Sequence, residues 1–516
     1  MNNLMTDPMI RVGTAAGGLE GRTLPGVLAG MLRNEVVAFA ALQPHQSHAW
    51  HAFLVQLAAI ALHRAGQPSP PTDEPAWCDL LRALTAAWPE DEPWQLVVPE
   101  LAQPAFMQPP VPEKSLSGFK NPFLQPDRMD VLVTAKNHDV KMARMGHARP
   151  DHWIMVLVSL QTMEGVMGRG NYGIARMNTG LGSRPGVGIR PGPEPGSHFR
   201  RDLALLQRHR QDLPRDHPDF YRQPFGHALL WLLPWDGRSA LSLADMDPYF
   251  IEICRRIRLE SGTTGILAWG TTSASARVDA KTFKGVLGDP WTPMRADTSL
   301  TITDRGFDYA LTANLILGSE GHRPAPAQAQ GPVDPPGAME FLARALARGQ
   351  GKTGGYHERR VPIPARVRRV LGQPKARESL AGVAKNRVEQ CQLMANKVLK
   401  PTILTLIQEA PDTLNFKDRR AEPWQTRLDH RVDALFFPSL WHSLDLSEAA
   451  AETDWAQRLR EAAREVVAAA KEALVGGGAR RYKTLAAADR LFDACLHNHF
   501  PIFHTAAEPR TDEENH

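Results

Sequence analysis

The 516-residue chain is 43% hydrophobic and 22% charged with a formal net charge of +4, an ordinary globular composition that provides for a large core and, by length, two or three domains. No apolar run approaches the roughly 18–20 residues that cross a bilayer; the longest candidate is Trp153–Leu160, and the N-terminus lacks the pattern of a signal peptide. A cytoplasmic protein with no membrane partner is therefore expected. Cys78, Cys254, Cys391 and Cys495 are far apart and none forms C-x-x-C, which speaks against a local zinc knuckle and a disulfide scaffold and for small buried apolar residues.

Leu24–Asn34 is short and apolar. His48–His63 carries Trp50, Phe53, Leu54, Leu57, Ala58 and Ala61 at helical spacing and predicts a core-facing helix. Gln67–Pro75 breaks the chain with prolines. Asp151–Met167 reads as a second apolar helix, with an acid at its N-terminal end where the helix dipole favours one. Gly165–Gly196 interleaves Gly, Pro, Arg and Asn and cannot be regular throughout. Thr298–Thr303 alternates around Leu300 and Ile302 like a strand, and Gly321–Gly337 reads as a surface loop. From about Ala376 the pattern becomes helical: Glu378–Glu409, Trp424–His442, Leu446–Val475 and Ala479–His499, with short separators, predict a four-helix bundle. The fold class expected is α+β, with a large mixed α/β N-terminal domain over 1–370 and the bundle over 371–516.

Charge is unevenly placed. Between Gly351 and Lys400 there are 12 basic residues against 3 acids, so this segment carries +9 and the rest of the chain −5. Such a block fits a polyanion partner or, equally, a solvated helix face. Catalytic signatures fail on context. Gly168–Gly173 matches G-x-G-x-x-G but follows a helix, whereas the dinucleotide motif follows a strand. Gly351–Thr353 resembles a phosphate loop, but Leu346 stands where the Walker pattern needs glycine. His497–His499 ends a helix rather than forming a metal site. His45, His48 and His51 drift around a helix with no carboxylate nearby in sequence, which favours satisfied histidines over ligands. No cofactor and no metal site are expected.

Several segments, in order, resemble the CasA family, the large subunit of the type I-E CRISPR complex called Cascade. They are Pro104–Gln108 (PAFMQ), Asp130–Met142 (DVLVTAKNHDVKM), Trp153–Pro185 including YGIARMNTGLGSRP, and Gly354–Arg360 (GGYHERR), followed by a helical C-terminal region. The resemblance implies a non-enzymatic subunit that reads the protospacer-adjacent motif (PAM) as double-stranded DNA and starts strand separation. Its partners would be the guide RNA, the target duplex, the other Cascade subunits and a helicase-nuclease that cuts. It implies DNA contacts at Gly170, Asn171, Tyr172 and Gly173, where glycine lets a backbone approach base edges; the register could slip towards Gly180 and Gly182. Lys281 and Lys284, ahead of Gly288–Trp291, match a family lysine. Where the family carries an asparagine and a wedging glutamine past G-G-Y, this chain has Arg359 and Arg360. Arginine suits a narrow minor groove and its plane stacks on bases. Lys136, Asn137, His138 and Lys141 match a loop that touches guide and neighbouring subunits. The cysteine cluster that binds zinc in some members is absent, so no structural zinc is expected. The alternative is a metal-dependent nuclease or other nucleic-acid-processing enzyme, which needs clustered carboxylates or a Walker loop.

Overall fold

The computed structural model describes residues 2–130, 148–178, 182–263, 265–332, 334–349, 352–474 and 479–504. The chain forms two units: Met1–Phe307 with Gly318–Arg368, and Asp308–Leu317 with Arg369–His516.

In the first unit, β1 (Ile10–Thr14) pairs antiparallel with β2 (Leu19–Arg22) and β3 (Val36–Phe39). Between β2 and β3 lies α1 (Leu24–Leu32), started by Thr23, whose hydroxyl accepts the Gly26 N–H. α2 (Ser47–Arg64) is buried at every residue from His48 to Leu62. A helix so enclosed sits at the centre of the core. It packs on α3 (Glu74–Leu84), α4 (Pro150–Met163) and α5 (Pro195–His209). Trp50, Phe53, Trp94, Phe106, Trp231, Trp235 and Trp291 belong to the same core. Pro104–Gln108 contributes Phe106 and Met107 to this core, and Gln108 bonds the Leu96 and Phe106 carbonyls and the Leu259 amide. Two further three-stranded antiparallel sheets position the site. One joins β4 (Asn121–Phe123), β6 (Arg256–Gly262) and β7 (Gly265–Thr271), with β7 in the middle. The other places β8 (Met339–Gly349) between β5 (Gly186–Arg190) and β9 (Lys352–Ile363).

The second unit is helical: α6 (Tyr309–Leu317), α7 (Pro374–Leu393), a π-helical segment Met394–Leu399, α8 (Lys400–Ile407), α9 (Glu422–His442), α10 (Glu448–Leu474) and α11 (Ala479–His499). The wide turn ahead of Pro401 has a cause. Proline offers no N–H to the Lys397 carbonyl and its ring crowds it, and an added residue per turn relieves both. Phe436 packs against Tyr309 and Trp455, and the Arg387 guanidinium covers Trp455 at 4.9 Å. The α+β class and the helical C-terminal region agree with the sequence reading. Among the described residues no helix is long and apolar enough to cross a membrane.

Four local readings change. α4 ends at Met163, not Met167, because Glu164 turns extended and bridges Ser183. Only Thr298–Ser299 pairs as strand in the alternating run, although Leu300 and Ile302 are buried. The 321–337 segment is not simply superficial: Ala325 and Ala327 are buried, and Arg201 ties down the Ala327 and Ala329 carbonyls. Cys254 and Cys391 are buried, but Cys78 and Cys495 are only partly so.

Candidate nucleic-acid interface

The glycine-rich loop is stapled at its neck. Glu164 bridges Ser183 and forms an ion pair with Arg348 of β8. Burial pushes the Glu164 carboxyl up, and Arg348 and Arg255 oppose that push. Arg255 also donates to the carbonyls of Gly165 and Tyr172, groups that no helix or sheet satisfies. Met167 N–H reaches the Asn171 carbonyl at 2.9 Å and Asn171 N–H the Gly168 carbonyl at 3.0 Å. The tip so formed exposes Met167, Gly168 and Arg169.

The glycines named from the sequence serve the inside of this loop. Gly170 has φ +82° and is buried, its carbonyl accepting the Ser273 N–H at 2.9 Å. A Cβ there would stand 2.7 Å from Thr272 Cβ, and one on Gly173 would stand 2.8–2.9 Å from the backbone of Gly165 and Val166. Asn171 and Tyr172 are half-buried, and the Tyr172 hydroxyl donates to the Ala274 carbonyl at 2.9 Å. Among the described residues of this loop, the tip Met167–Arg169 is the most exposed stretch, one to three positions earlier than the glycine step that drew attention in the sequence.

Arginines in the same segment are structural. Arg176 pairs with Glu252 at 3.0 Å and lies 3.9 Å over the Phe250 ring; Arg184 grips Asp289 at 2.6 and 2.9 Å. Burial alone would raise Asp289, but Arg184 and Arg176 outweigh it and hold the carboxyl below its ordinary value. Asp289 belongs to the Gly288–Trp291 turn, so this pair fastens that turn to the loop.

Lys281 and Lys284 are both exposed on a short 3₁₀ turn. Ser299 joins this turn to the loop: its N–H donates to the Lys284 carbonyl at 3.1 Å, and its hydroxyl accepts the Asn178 N–H at 2.8 Å. The next residue, Gly285, lies so close to Arg176 and Met177 that a Cβ would stand 2.7–2.8 Å from their backbone.

The third segment, Gly354–Arg360, lies in β9. Arg359 pairs across from Ala343 and Arg360 from Leu342. Consecutive strand residues face opposite sides, so the two guanidinium groups leave the sheet in opposite directions. Arg360 is half exposed and pairs with Glu358 at 2.6 Å, which also accepts from Arg344 and from the Tyr356 hydroxyl. Burial opposes ionisation of Glu358, but Tyr356, Arg344 and Arg360 prevail and hold it below the usual carboxylate range. Ser183 Oγ exchanges hydrogen bonds with the Leu346 N–H and carbonyl of β8 at 2.9 and 3.0 Å. A Cβ on Gly354 would collide with Asp304. Loop, lysine turn and hairpin, far apart in sequence, are thus neighbours in one unit.

The basic run divides. Arg368 donates to the Pro335 and Gly337 carbonyls, and Arg387 is buried over Trp455. Arg369, Lys375, Arg377 and Lys385 are exposed. Lys136, Asn137, His138, Lys141 and Gly180 lie outside the described residues. Sequence reasoning missed Met167, Arg169, the buried partners Glu252 and Arg255, and the exposed Asp304 beside Gly354; nothing local marks a residue whose partner is many tens of positions away.

No family model and no curated protein matches the sequence. Solved structures do. Cse1 of Thermobifida fusca is 16% identical with a TM-score of 0.62, over 97% of this chain and 98% of that one. Cse1 of Acidimicrobium ferrooxidans is 14% identical at 0.61, over 96% and 98%. CasA (Cse1) of Thermus thermophilus is 18% identical at 0.58, over 96% and 99%. A chain of a CRISPR RNA-guided surveillance complex matches at 0.53 with 14% identity, over 96% and 99%. Along nearly its whole length, therefore, this chain has the fold of the CasA (Cse1) proteins.

Proposed function

We propose that this chain is the large subunit of a type I-E CRISPR surveillance complex. In that role it reads the PAM as duplex DNA, begins strand separation, and joins guide RNA, target DNA and the other Cascade subunits. A helicase-nuclease recruited after target binding does the cutting, and the chain itself works in the cytoplasm without a catalytic centre. The observation that carries the reading is the CasA fold over 96–97% of the chain, together with the meeting of the glycine-rich loop, lysine turn and G-G-Y hairpin in one unit.

The physical division of labour fits. A guide RNA supplies sequence specificity by pairing, so the protein need read only a short duplex motif. The exposed tip Met167–Arg169 offers what minor-groove readers use, an arginine and an apolar side chain that can press against a base step. Lys281 and Lys284 supply phosphate contacts, which position without specifying. Arg359 contacts the motif and Arg360 acts as the wedge between the separating strands, a division that their opposite directions from the sheet allow. Asn171 and Tyr172 support the tip from behind, and Lys136, Asn137, His138 and Lys141 contact guide or subunits.

The test is binding of the assembled complex, with and without this chain, to duplexes carrying a randomised flanking motif. Motif-dependent binding that needs the chain is expected, as is loss of binding in the Arg359→Glu, Arg360→Glu double variant. Equal binding without the chain would overturn the reading. Cleavage of plasmid by the purified chain with Mg²⁺ would instead establish an enzyme.

A further inference from the structure

Next to Trp291 of the Gly288–Trp291 turn, α2 and α5 bring three metal-type ligands to one buried point. His51 Nε2 lies 2.9 Å and His198 Nε2 3.2 Å from Asp202 Oδ2. The ligand atoms of all three residues lie within 4.8 Å of one another, and the two imidazoles stack at 3.9 Å. Asp202 is fully buried and each histidine is 9% exposed. The sequence trio His45, His48 and His51 does not converge: His45 turns to Asp130 at 2.8 Å. Its third member instead meets a carboxylate in α5 that no local spacing announces.

We propose that His51, His198 and Asp202 form a buried site for a divalent transition-metal ion, zinc by the preference of two imidazoles and one carboxylate. Zinc bonds of about 2.0–2.2 Å in a tetrahedron set ligand atoms about 3.3 Å apart, so the two His–Asp spacings need adjust by only a few tenths of an ångström. His198 and Asp202, four residues apart, share one helix face. Asp202 is already oriented for the task. Trp291 Nε1 donates to Oδ2 at 2.7 Å and Arg201 to Oδ1 at 3.0 Å, fixing the carboxylate as outer partners fix metal ligands elsewhere.

Charge permits a cation. Arg201 is shared by Asp202 at 3.0 Å and Asp334 at 2.7 Å, so this set holds one carboxylate charge more than cation, while Arg344 shares Glu358 with Arg360. A void of about 10 Å³ beside the cluster, bordered by His48, Gly186 and Arg344, is on the scale of one water as a fourth ligand. The ion would tie α2 to α5 beneath β5.

The full chain, purified without a polyhistidine tag and stripped with a chelator, is titrated with Zn²⁺ and with Co²⁺ as the coloured probe. One bound equivalent, tetrahedral Co²⁺ absorption and a higher Tm with Zn²⁺ are expected. His198→Gln keeps a donor for Asp202 but removes the ligand nitrogen. Its Zn²⁺ affinity should fall by more than about a hundredfold with the metal-free Tm little changed. His497→Ala with His504→Ala, which removes a tilted histidine pair far along the chain, should leave binding intact. No Zn²⁺ uptake by the parent chain, or undiminished uptake by His198→Gln, overturns the proposal. X-ray absorption of the zinc-loaded parent chain needs no variant: two imidazoles and light oxygen donors support the site, and fewer than two imidazoles overturns it.

Discussion

The helical unit buries Phe436, Trp455, Val466 and a row of alanines, and sends most of its arginines outward, some of them into pairs such as Arg464 with Asp493 and Arg458 with Asp454. Around the glycine-rich loop the arrangement is reversed: Arg176, Arg184 and Arg255 are buried, and Arg348 is nearly so. The difference comes from the backbone. A helix satisfies its own N–H and C=O groups, so its inner face can be purely apolar. An irregular loop brings unpaired carbonyls inside, and a guanidinium with five donors can answer several at once. Arg255 does this for Gly165 and Tyr172. A run of arginines is therefore a surface signal in one unit and a scaffold in the other.

The largest expected effect breaks this comparison directly. Arg184→Ala leaves Asp289 buried without its main partner and should cost about 3–5 kcal/mol in urea unfolding. Arg464→Ala removes an exposed pair and should cost less than about 1 kcal/mol. Similar costs for the two would mean that burial is not what separates them. Next, Gly173→Ala forces a methyl against backbone atoms that cannot move aside, and about 1–3 kcal/mol should be lost. Gly168→Ala, at a tip with nothing within 4 Å of the added carbon, meets only the strain of φ +114°, about 1 kcal/mol.

The buried network also has a pH signature. Asp289 is held below its ordinary value when folded, so the unfolded chain binds the proton more readily. The stabilisation is present in full above the unfolded value near 3.9 and is lost as pH falls through the lower folded value. Acid unfolding below about pH 4 should therefore flatten in Asp289→Asn relative to its own neutral-pH stability. A variant with the parent's acid limb would place the titrating group elsewhere.

The same contrast explains what the sequence made legible. The expected helix Glu378–Glu409 corresponds to the run Pro374–Ile407, and Trp424–His442 to Glu422–His442, because apolar spacing is local and repeats. The π turn escaped because it answers to Pro401 through a hydrogen bond rather than to a pattern. α6, only nine residues long, offers too few turns for a period to emerge. The loop of the candidate interface was legible as a glycine-rich segment and no further. Arg176 and Glu252, or Arg184 and Asp289, are joined by the path of the chain, and nothing beside either residue names the other. Gly170 and Gly173 were found for their composition, but only the positions of Thr272 and Gly165 reveal which way they face.

The smallest change in stability sharpens the comparison most. Lys375, Arg377 and Lys385 lie exposed on α7, unlike Arg387 on the same helix, which is buried over Trp455. Replacing the three by glutamine should alter unfolding by less than about 0.5 kcal/mol. If they meet phosphates in the assembled complex, each lost contact lowers the slope of log affinity against log salt by about 1, with little change in motif preference because phosphate contacts carry no sequence information. Arg387→Gln should do the opposite, destabilising the helical unit while leaving the salt slope alone. A salt slope that ignores all three exposed residues would leave the basic run as a solvated helix face, and the duplex contacts would then rest on the loop tip, the lysine turn and the hairpin alone.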